Sequence, residues 1–228
     1  MQIAIDTSTQ ISSLALAEKG QVIAELTWHC GQNHTVELAP SLIYLLRQAK
    51  AGFDKVDGVI VAKGPGSYNG LRAGMSVAKG LAFSLNIPLV GISTLEVEAY
   101  PYSLTALPLC PIHDAGRGEI ATALYQWREG RWTRLMEERI TTLDDLCSGI
   151  KARTLFCGEL NPMLHAEIEE RLGELAIIPQ VVTRLRRAGY LAELGWQRIE
   201  KGDFDDVATL QPLYLRKPPI TQPKSERR

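Results

Sequence analysis

What this 228-residue sequence lacks narrows its function before any motif is considered. No apolar run approaches the roughly 20 residues that span a bilayer, so no membrane segment is expected. There is no excess of one charge: 25 Lys plus Arg stand against 26 Asp plus Glu, a net charge of −1. That balance argues against a protein that holds nucleic acid by electrostatics alone, since such domains show a basic excess and a basic stripe. Cysteine is sparse. Cys30, Cys110, Cys147 and Cys157 are scattered with no CxxC, so reduced, partly buried thiols are expected rather than a metal or redox centre. The opening MQIAIDTS has an acid at position 6 and no basic stretch, so no secretory signal is expected and a cytoplasmic location is. His29, His34, His113 and His165 form no HExxH and no i, i+4 pair, which leaves no zinc-protease helix. No Gly-x-Ser-x-Gly elbow occurs.

The hydrophobic fraction of 45% is that of an ordinary globular core. Apolar runs at 2–5, 13–17 and 22–28, separated by the turns Thr7-Ser8-Thr9-Gln10 and Lys19-Gly20, predict three antiparallel strands in a row. The period then changes. Over 35–50, Leu38, Leu42, Leu45 and Ala49 fall on one side of a helix, with Val36, Ala39, Ile43 and Leu46 on the next. Pro40 is expected either to open that helix or to kink it. A strand over 56–63, a loop at 64–70, a helix over 71–85 and a strand over 89–92 make a βαβ crossover, so the first sheet is mixed.

The stretch 100–111 is rich in Pro and Leu and suits a hinge. A second set follows: strands at 109–112, 120–127 and 131–136, a helix over 143–150, a strand at 154–157, and helices over 162–172 and 187–201. The Pro-rich charged end, 217–228, is expected to be disordered. Both halves open with a strand ending in Asp (Asp6, Asp114), a polar turn and a returning strand. This weak internal repeat predicts two similar subdomains, 1–104 and 105–216, facing each other across a cleft.

The candidate sites are few. Asp6-Thr7-Ser8-Thr9 suits either a hairpin whose hydroxyls and amides touch phosphate or a turn built from good turn formers. Thr7 occupies the place where phosphate hairpins carry glycine, and the plain turn is favoured. Gly64-Pro-Gly-Ser-Tyr-Asn-Gly70 is not a Walker loop, because Leu71-Arg72 follow where Lys then Ser or Thr is needed. Gly70, Gly74, Ala78 and Ala82 recur every four residues, a stripe of small side chains that lets another backbone approach. Either the parent sheet or a partner helix could use it. His113-Asp114 is the best acid/base candidate, although a lone His beside a turn is more often structural. Arg184, Arg186 and Arg187 form a basic cluster, expected to be a solvated face that could brush RNA phosphate.

At this point a pattern emerges. Ile3-Ala-Ile-Asp6-Thr-Ser-Thr9, Ser12-Ser-Leu-Ala-Leu16, His34-Thr-x-x-Leu38-x-Pro40 and Lys63-Gly-Pro-Gly-Ser-Tyr-Asn-Gly-Leu-Arg72 resemble the bacterial TsaB (YeaZ) family. So do Ala78-Lys-Gly-Leu-Ala82, Gly91-Ile-Ser-Thr-Leu95, Asp114-Ala-Gly-Arg-Gly-Glu-Ile120 and Pro212-Leu-Tyr-Leu-Arg216, in order along nearly the whole chain. Gly116 stands where an arginine is common. The resemblance implies an α/β protein of the actin-like ATPase (ASKHA) fold, with two similar subdomains, each a mixed sheet with flanking helices. It implies a role in forming N6-threonylcarbamoyladenosine (t6A) at position 37 of tRNAs that read codons beginning with adenine. The implied partners are the paralogous transferase TsaD, as a heterodimer, and the ATPase TsaE in a larger complex. A homodimer could form alone, with tRNA met mainly through the complex.

TsaD-like chains carry a His-x-x-x-His metal pair just after the strand that follows the Gly-Pro-Gly helix. Thr94 and Glu98 occupy those two places here, and a hydroxyl with one carboxylate cannot replace two imidazoles as a transition-metal site. Arg117 and Glu119 likewise stand in the second hairpin in place of a small phosphate turn. The expectation is therefore a non-catalytic scaffold with no cofactor and no metal. Its partner surface is expected on the first two long helices, at Val36, Ala39, Leu42, Ile43, Leu45, Leu46, Gly70, Gly74, Ala78 and Ala82. The runner-up is an ATP-dependent small-molecule kinase of the same fold, which would need glycine-rich phosphate turns at Asp6 and Asp114. A metalloprotease is opposed by the missing histidine pair.

Overall fold

The computed structural model describes residues 1–180 and 185–216. Arg184 and the expected tail 217–228 lie outside the described residues. The first sheet contains β1 (Gln2–Asp6), β2 (Ile11–Glu18), β3 (Gln21–His29), β4 (Gly58–Gly64) and β5 (Leu89–Ser93), in the order β3-β2-β1-β4-β5. β1 pairs antiparallel with β2 (Ile3 opposite Leu16) and parallel with β4 (Ile3 opposite Val59). The second sheet repeats this plan. β6 (Leu109–Gly116), β7 (Glu119–Arg128), β8 (Arg131–Thr142), β9 (Thr154–Gly158) and β10 (Ala176–Ile177) lie in the order β10-β9-β6-β7-β8. In each sheet an antiparallel hairpin is extended by parallel strands on its other side.

Side-chain size explains the layering of the first sheet. Ile3, Ile5, Leu14 and Leu16 point to one face and pack under α1 (His34–Gln48) and α2 (Tyr68–Leu85). Ala4, Ala15 and Ala17, the alternate residues of the same strands, face the other side with Ile60. That small-residue face receives the last helix of the chain. Between β5 and β6 the chain forms the short α3 (Thr94–Ala99) and a 3-10 turn at Tyr100–Thr105, where the sequence suggested a hinge. In the second half, α4 (Leu143–Gly149) and α5 (Pro162–Leu172) cover one face of the sheet with Leu143, Leu146 and Ile168. α6 (Ala188–Ile199) then returns to the first half, laying Ala188, Leu191 and Ala192 on the alanine face.

The chain passes from the first sheet to the second between Ser93 and Leu109, but the packing units do not divide there. α6 belongs to the first core, and the chain after it stays there: Asp205 N–H donates to the Leu89 carbonyl at 2.9 Å and Leu213 N–H to the Lys63 carbonyl at 2.6 Å. Only at Arg216, which pairs with Glu119, does the chain clasp the second hairpin. Pro40 neither opens α1 nor stands near its end; the helix begins at His34 and carries the proline inside.

The stripe of small residues needs a correction as an interface. Gly70, Gly74, Ala78 and Ala82 are buried against this protein's own first sheet. A Cβ at Gly70 would overlap the Thr7 carbonyl oxygen, and one at Gly74 would overlap Thr7 Oγ1. Thr7 Oγ1 itself donates to the Gly70 carbonyl at 2.7 Å. The backbone that comes close is the turn after β1, so the glycines serve folding. Leu42, Leu45 and Leu46 are core residues as well.

Gly74→Leu should therefore lower stability by about 3 kcal/mol or more, at or beyond the upper end of overpacking, because the obstacle is a buried turn. Gly80, six residues further along α2, meets nothing within 4 Å. Gly80→Ala should raise stability by up to about 1 kcal/mol through helix propensity. Thermal and urea melts of the two variants should shift in opposite directions.

Candidate functional site

A cleft of about 900 Å3 opens between the two sheets. Its floor is built from both halves. The turn after β1 supplies Ser8 and Thr9, with Asp6 at the end of β1 beneath them, α3 supplies Glu98, β6 supplies His113, and the loop after β9 supplies Glu159. Asp6 is first satisfied by its own turn: Ser8 N–H donates to its Oδ1 at 3.0 Å and Ser8 Oγ at 2.5 Å. The second hairpin repeats this device, with Gly116 N–H donating to Asp114 Oδ1 at 2.7 Å. The internal repeat expected from sequence is thus present down to the side-chain cap of each turn.

Arg186 enters this cleft from the segment before α6. Its Nε donates to Glu98 Oε1 at 2.8 Å. One terminal nitrogen lies 3.4 Å from both Asp6 oxygens and also donates to Ser8 Oγ; the other lies 3.4 Å from Thr9 Oγ1. Arg186 is only 7% exposed, so the expected solvated basic face is overturned at this residue. Its neighbour Arg187 pairs with Glu25 on β3. Burial by itself would lower the Arg186 pKa, but Asp6 and then Glu98 overcome that and raise it. Burial likewise pushes the Glu98 carboxyl up, yet Arg186 and His113 hold it below the ordinary glutamate range. His113 Nε2 lies 3.4 Å from Glu98 Oε1, and Nδ1 4.0 Å from Glu159 Oε2.

These residues do not suit a nucleotide phosphate. The carboxylates of Asp6, Glu98, Asp114 and Glu159 line or underlie the cleft, and the buried guanidinium among them is already bonded. Thr94 and Glu98, the positions matched above to the transferase's histidine pair, are also committed. Thr94 Oγ1 accepts from Gly64 N–H at 3.1 Å, and Glu98 holds Arg186. Among the described residues no group of three or more His, Cys, Asp or Glu is placed to hold a metal ion. His113 and Asp114 do reach the cleft as expected, but His113 faces carboxylates rather than a proton donor to be activated.

Sequence reasoning missed Arg186 as a cleft residue. Its ion-pair partner Asp6 is 180 residues away, and no spacing rule connects them. It also missed a small buried group under α1, where His34 Nδ1 lies 2.9 Å from Cys30 Sγ and 3.1 Å from Ser12 Oγ. Burial lowers the His34 pKa. All four cysteines are free and buried, as expected.

The second candidate region is the outer face of α1 and α2. Of the residues expected there, Val36 (72% exposed) and Ile43 (43%) reach the surface, as does Ala39. Tyr44 and Phe83 extend the apolar surface, Phe83 being 80% exposed. A hollow of about 440 Å3 lies between the helices, with Ala39, Arg72 and Ser76 on its walls. Among the described residues no helix is long and apolar enough to cross a membrane.

Two sheets of this topology facing each other across a cleft define an actin-like ATPase fold, here with the protein's own arginine seated in the cleft. The comparisons agree. YeaZ from Pseudomonas aeruginosa superposes with a TM-score of 0.79 at 24% identity, covering 94% of this chain and 99% of that one. Component A of the Acidaminococcus fermentans (R)-2-hydroxyglutaryl-CoA dehydratase shares the fold more distantly, at TM-score 0.52 and 12% identity over 87% of this chain and 98% of that one. The sequence model of TsaD, described as tRNA N6-adenosine threonylcarbamoyltransferase, matches residues 17–220. The tRNA threonylcarbamoyladenosine biosynthesis protein TsaB of Bacillus subtilis is 34% identical over 217 residues, 94% of this chain and 93% of the relative. TsaB of Escherichia coli is 33% identical over 133 residues, 57% of each chain. The chain belongs to the TsaB family of tRNA threonylcarbamoyladenosine biosynthesis proteins.

The cleft network yields its own test. Arg186→Met leaves Asp6 and Glu98 buried without their cation and should cost about 3–5 kcal/mol in urea unfolding at neutral pH. Glu98 titrates below its unfolded value, so its contribution is complete above the ordinary glutamate range and is lost as pH falls through the lowered value. Glu98→Gln should therefore be less stable at neutral pH and lose less stability than the parent on acidification.

Proposed function

We propose that this chain is a non-catalytic, cytoplasmic scaffold subunit in the formation of t6A at position 37 of tRNAs reading codons that begin with adenine. It binds and supports a TsaD-type threonylcarbamoyltransferase, with a TsaE-type ATPase joining the complex. The observation that carries this reading is the cleft. Arg186 is held by Asp6 and Glu98 within the cleft, so its charge is spent inside the protein. With the two histidine-pair positions given to a backbone cap and an ion pair, the chain keeps the fold and spends its cleft on internal cohesion. An ATP-dependent kinase would need the same space for phosphate, and the carboxylates there oppose it.

The partner surface is proposed on the outer face of α1 and α2. Val36, Ala39 and Ile43 lie one helical turn or two apart and are exposed, while Leu42, Leu45 and Leu46 support them from within. Exposed apolar residues in such a row mark a protein contact. The same face serves a homodimer when the transferase is absent.

Val36→Glu and Ile43→Glu should leave the melting temperature within about 2 °C of the parent, since both substitutions are at the surface. Together they should weaken capture of the TsaD-type partner by at least tenfold in a pull-down titration and lower t6A in the tRNA of a complemented deletion strain. Leu42→Glu, by contrast, should unfold the protein. Undiminished partner capture by the Val36/Ile43 double variant would reject this surface, and no capture by the parent chain or unchanged t6A in the deletion strain would reject the scaffold reading.

A further inference from the structure

A hollow of about 440 Å3 lies outside the cleft and shares no lining residue with it. Its walls come from the β7–β8 hairpin, the ends of β4 and β5, and the last turn of α6. Five cations line it, Lys63, Arg131, Arg134, Arg198 and Lys201, against two carboxylates, Glu96 and Glu138. Glu137, Asp203 and Asp205 hold two of these arginines from outside the lining, so the charges balance as a whole and what matters is which cations lack a contact partner.

The charges divide into two sets. Arg134 is held by Glu137 and Glu138, and Arg198 by Asp203 and Asp205. Glu96 accepts from Trp132 Nε1 at 3.1 Å, and Glu138 from Tyr125 Oη at 3.2 Å, so both carboxylates are also engaged within the protein. Lys63, Arg131 and Lys201 form no ion pair within 4.0 Å among the described residues. Lys63 and Lys201 lie within the field of Asp203, and Lys63 within that of Glu96, but none of the three is locked in a contact pair. Beside them stand two indoles: Trp132 in the wall, stacked on Tyr125 at 5.5 Å, and Trp127 at the rim, 42% exposed. An exposed indole next to uncommitted cations is suited to a phosphate that carries an aromatic base, because the ring offers a stacking face and the cations hold the charge. An acidic peptide would use the cations and leave the indole idle.

We propose that this hollow binds single-stranded RNA, with Lys63, Arg131 and Lys201 on the phosphates and Trp127 stacking an unpaired base. The choice of RNA rests on the tRNA reading above; the choice of an anion joined to an aromatic ring rests on the hollow alone. The site gives the chain a direct contact with nucleic acid at a surface separate from α1 and α2.

The test is fluorescence anisotropy of the full chain with a labelled single-stranded RNA of about 12 nucleotides, a length on the scale of one single-strand binding site. Three phosphate contacts predict a salt slope near −2, so affinity should fall about 18-fold from about 50 to about 200 mM salt. Arg131→Glu with Lys201→Glu should weaken binding at least tenfold and flatten that slope. Both side chains are exposed and unpaired, so melting should not change. Trp127→Ala should weaken binding about tenfold, within the range for one stacked base, while leaving the slope unchanged. Absence of RNA binding by the parent chain, equal binding by the Arg131/Lys201 variant, or displacement by oligoglutamate with no effect of Trp127→Ala would each overturn the site. These variants retain Val36 and Ile43, so capture of the transferase is scored separately. Absence of RNA binding by the parent chain with intact capture rejects the hollow alone, and RNA binding by the parent chain with no capture rejects the scaffold reading alone.

Discussion

The Arg186 guanidinium is the point on which the two halves of this molecule converge. It reaches the turn after β1, the helix α3 that leads out of the first sheet, and the neighbourhood of His113 and Glu159 in the second. Buried carboxylates at Asp6 and Glu98 would be costly without it, and a buried arginine would be equally costly without them. The arrangement is stable only as a set. Since a buried ion pair contributes little beyond what well-packed apolar residues would, its value lies in specifying one relative placement of turn, helix and return segment.

That constraint explains the path of the chain. Arg186 lies two residues before α6, so seating the guanidinium sets the start of the helix beside the alanine face of the first sheet, where Ala188 N–H donates to Ser13 Oγ at 2.9 Å. α6 then closes the first core from behind, and the following segment runs back past β5 and β4 before Arg216 reaches Glu119. The second subdomain is thus inserted between parts of the first. The cleft is thus held together by charges within it, and the proposed contacts lie on outer surfaces.

Those surfaces have different physical character. The α1/α2 face is apolar and rests on a tightly packed layer, in which the Thr7 turn approaches Gly70 and Gly74 so closely that no larger side chain fits. A rigid support of this kind holds Val36, Ala39 and Ile43 in one row. The hollow beside the β7–β8 hairpin is cationic and aromatic. The two proposed surfaces share no residue, as separate contacts with a protein and a nucleic acid require.

Much of this was legible in the amino-acid sequence. The strands, the long helices, the crossover and the repeat of two Asp-ended hairpins follow from apolar period and turn chemistry, which act over a few residues. Thr94 and Glu98 stand where the family resemblance places a histidine pair in TsaD-like chains. What the sequence left open was direction. A stripe of glycine and alanine states that something comes close, but only the folded chain shows that the neighbour is the Thr7 turn. A run of arginines states positive charge, but only the tertiary structure buries Arg186 against Asp6 and leaves Arg131 and Lys201 unpaired beside an indole. Local order is written in nearest neighbours along the chain; burial and charge pairing depend on residues that meet only after the chain has folded.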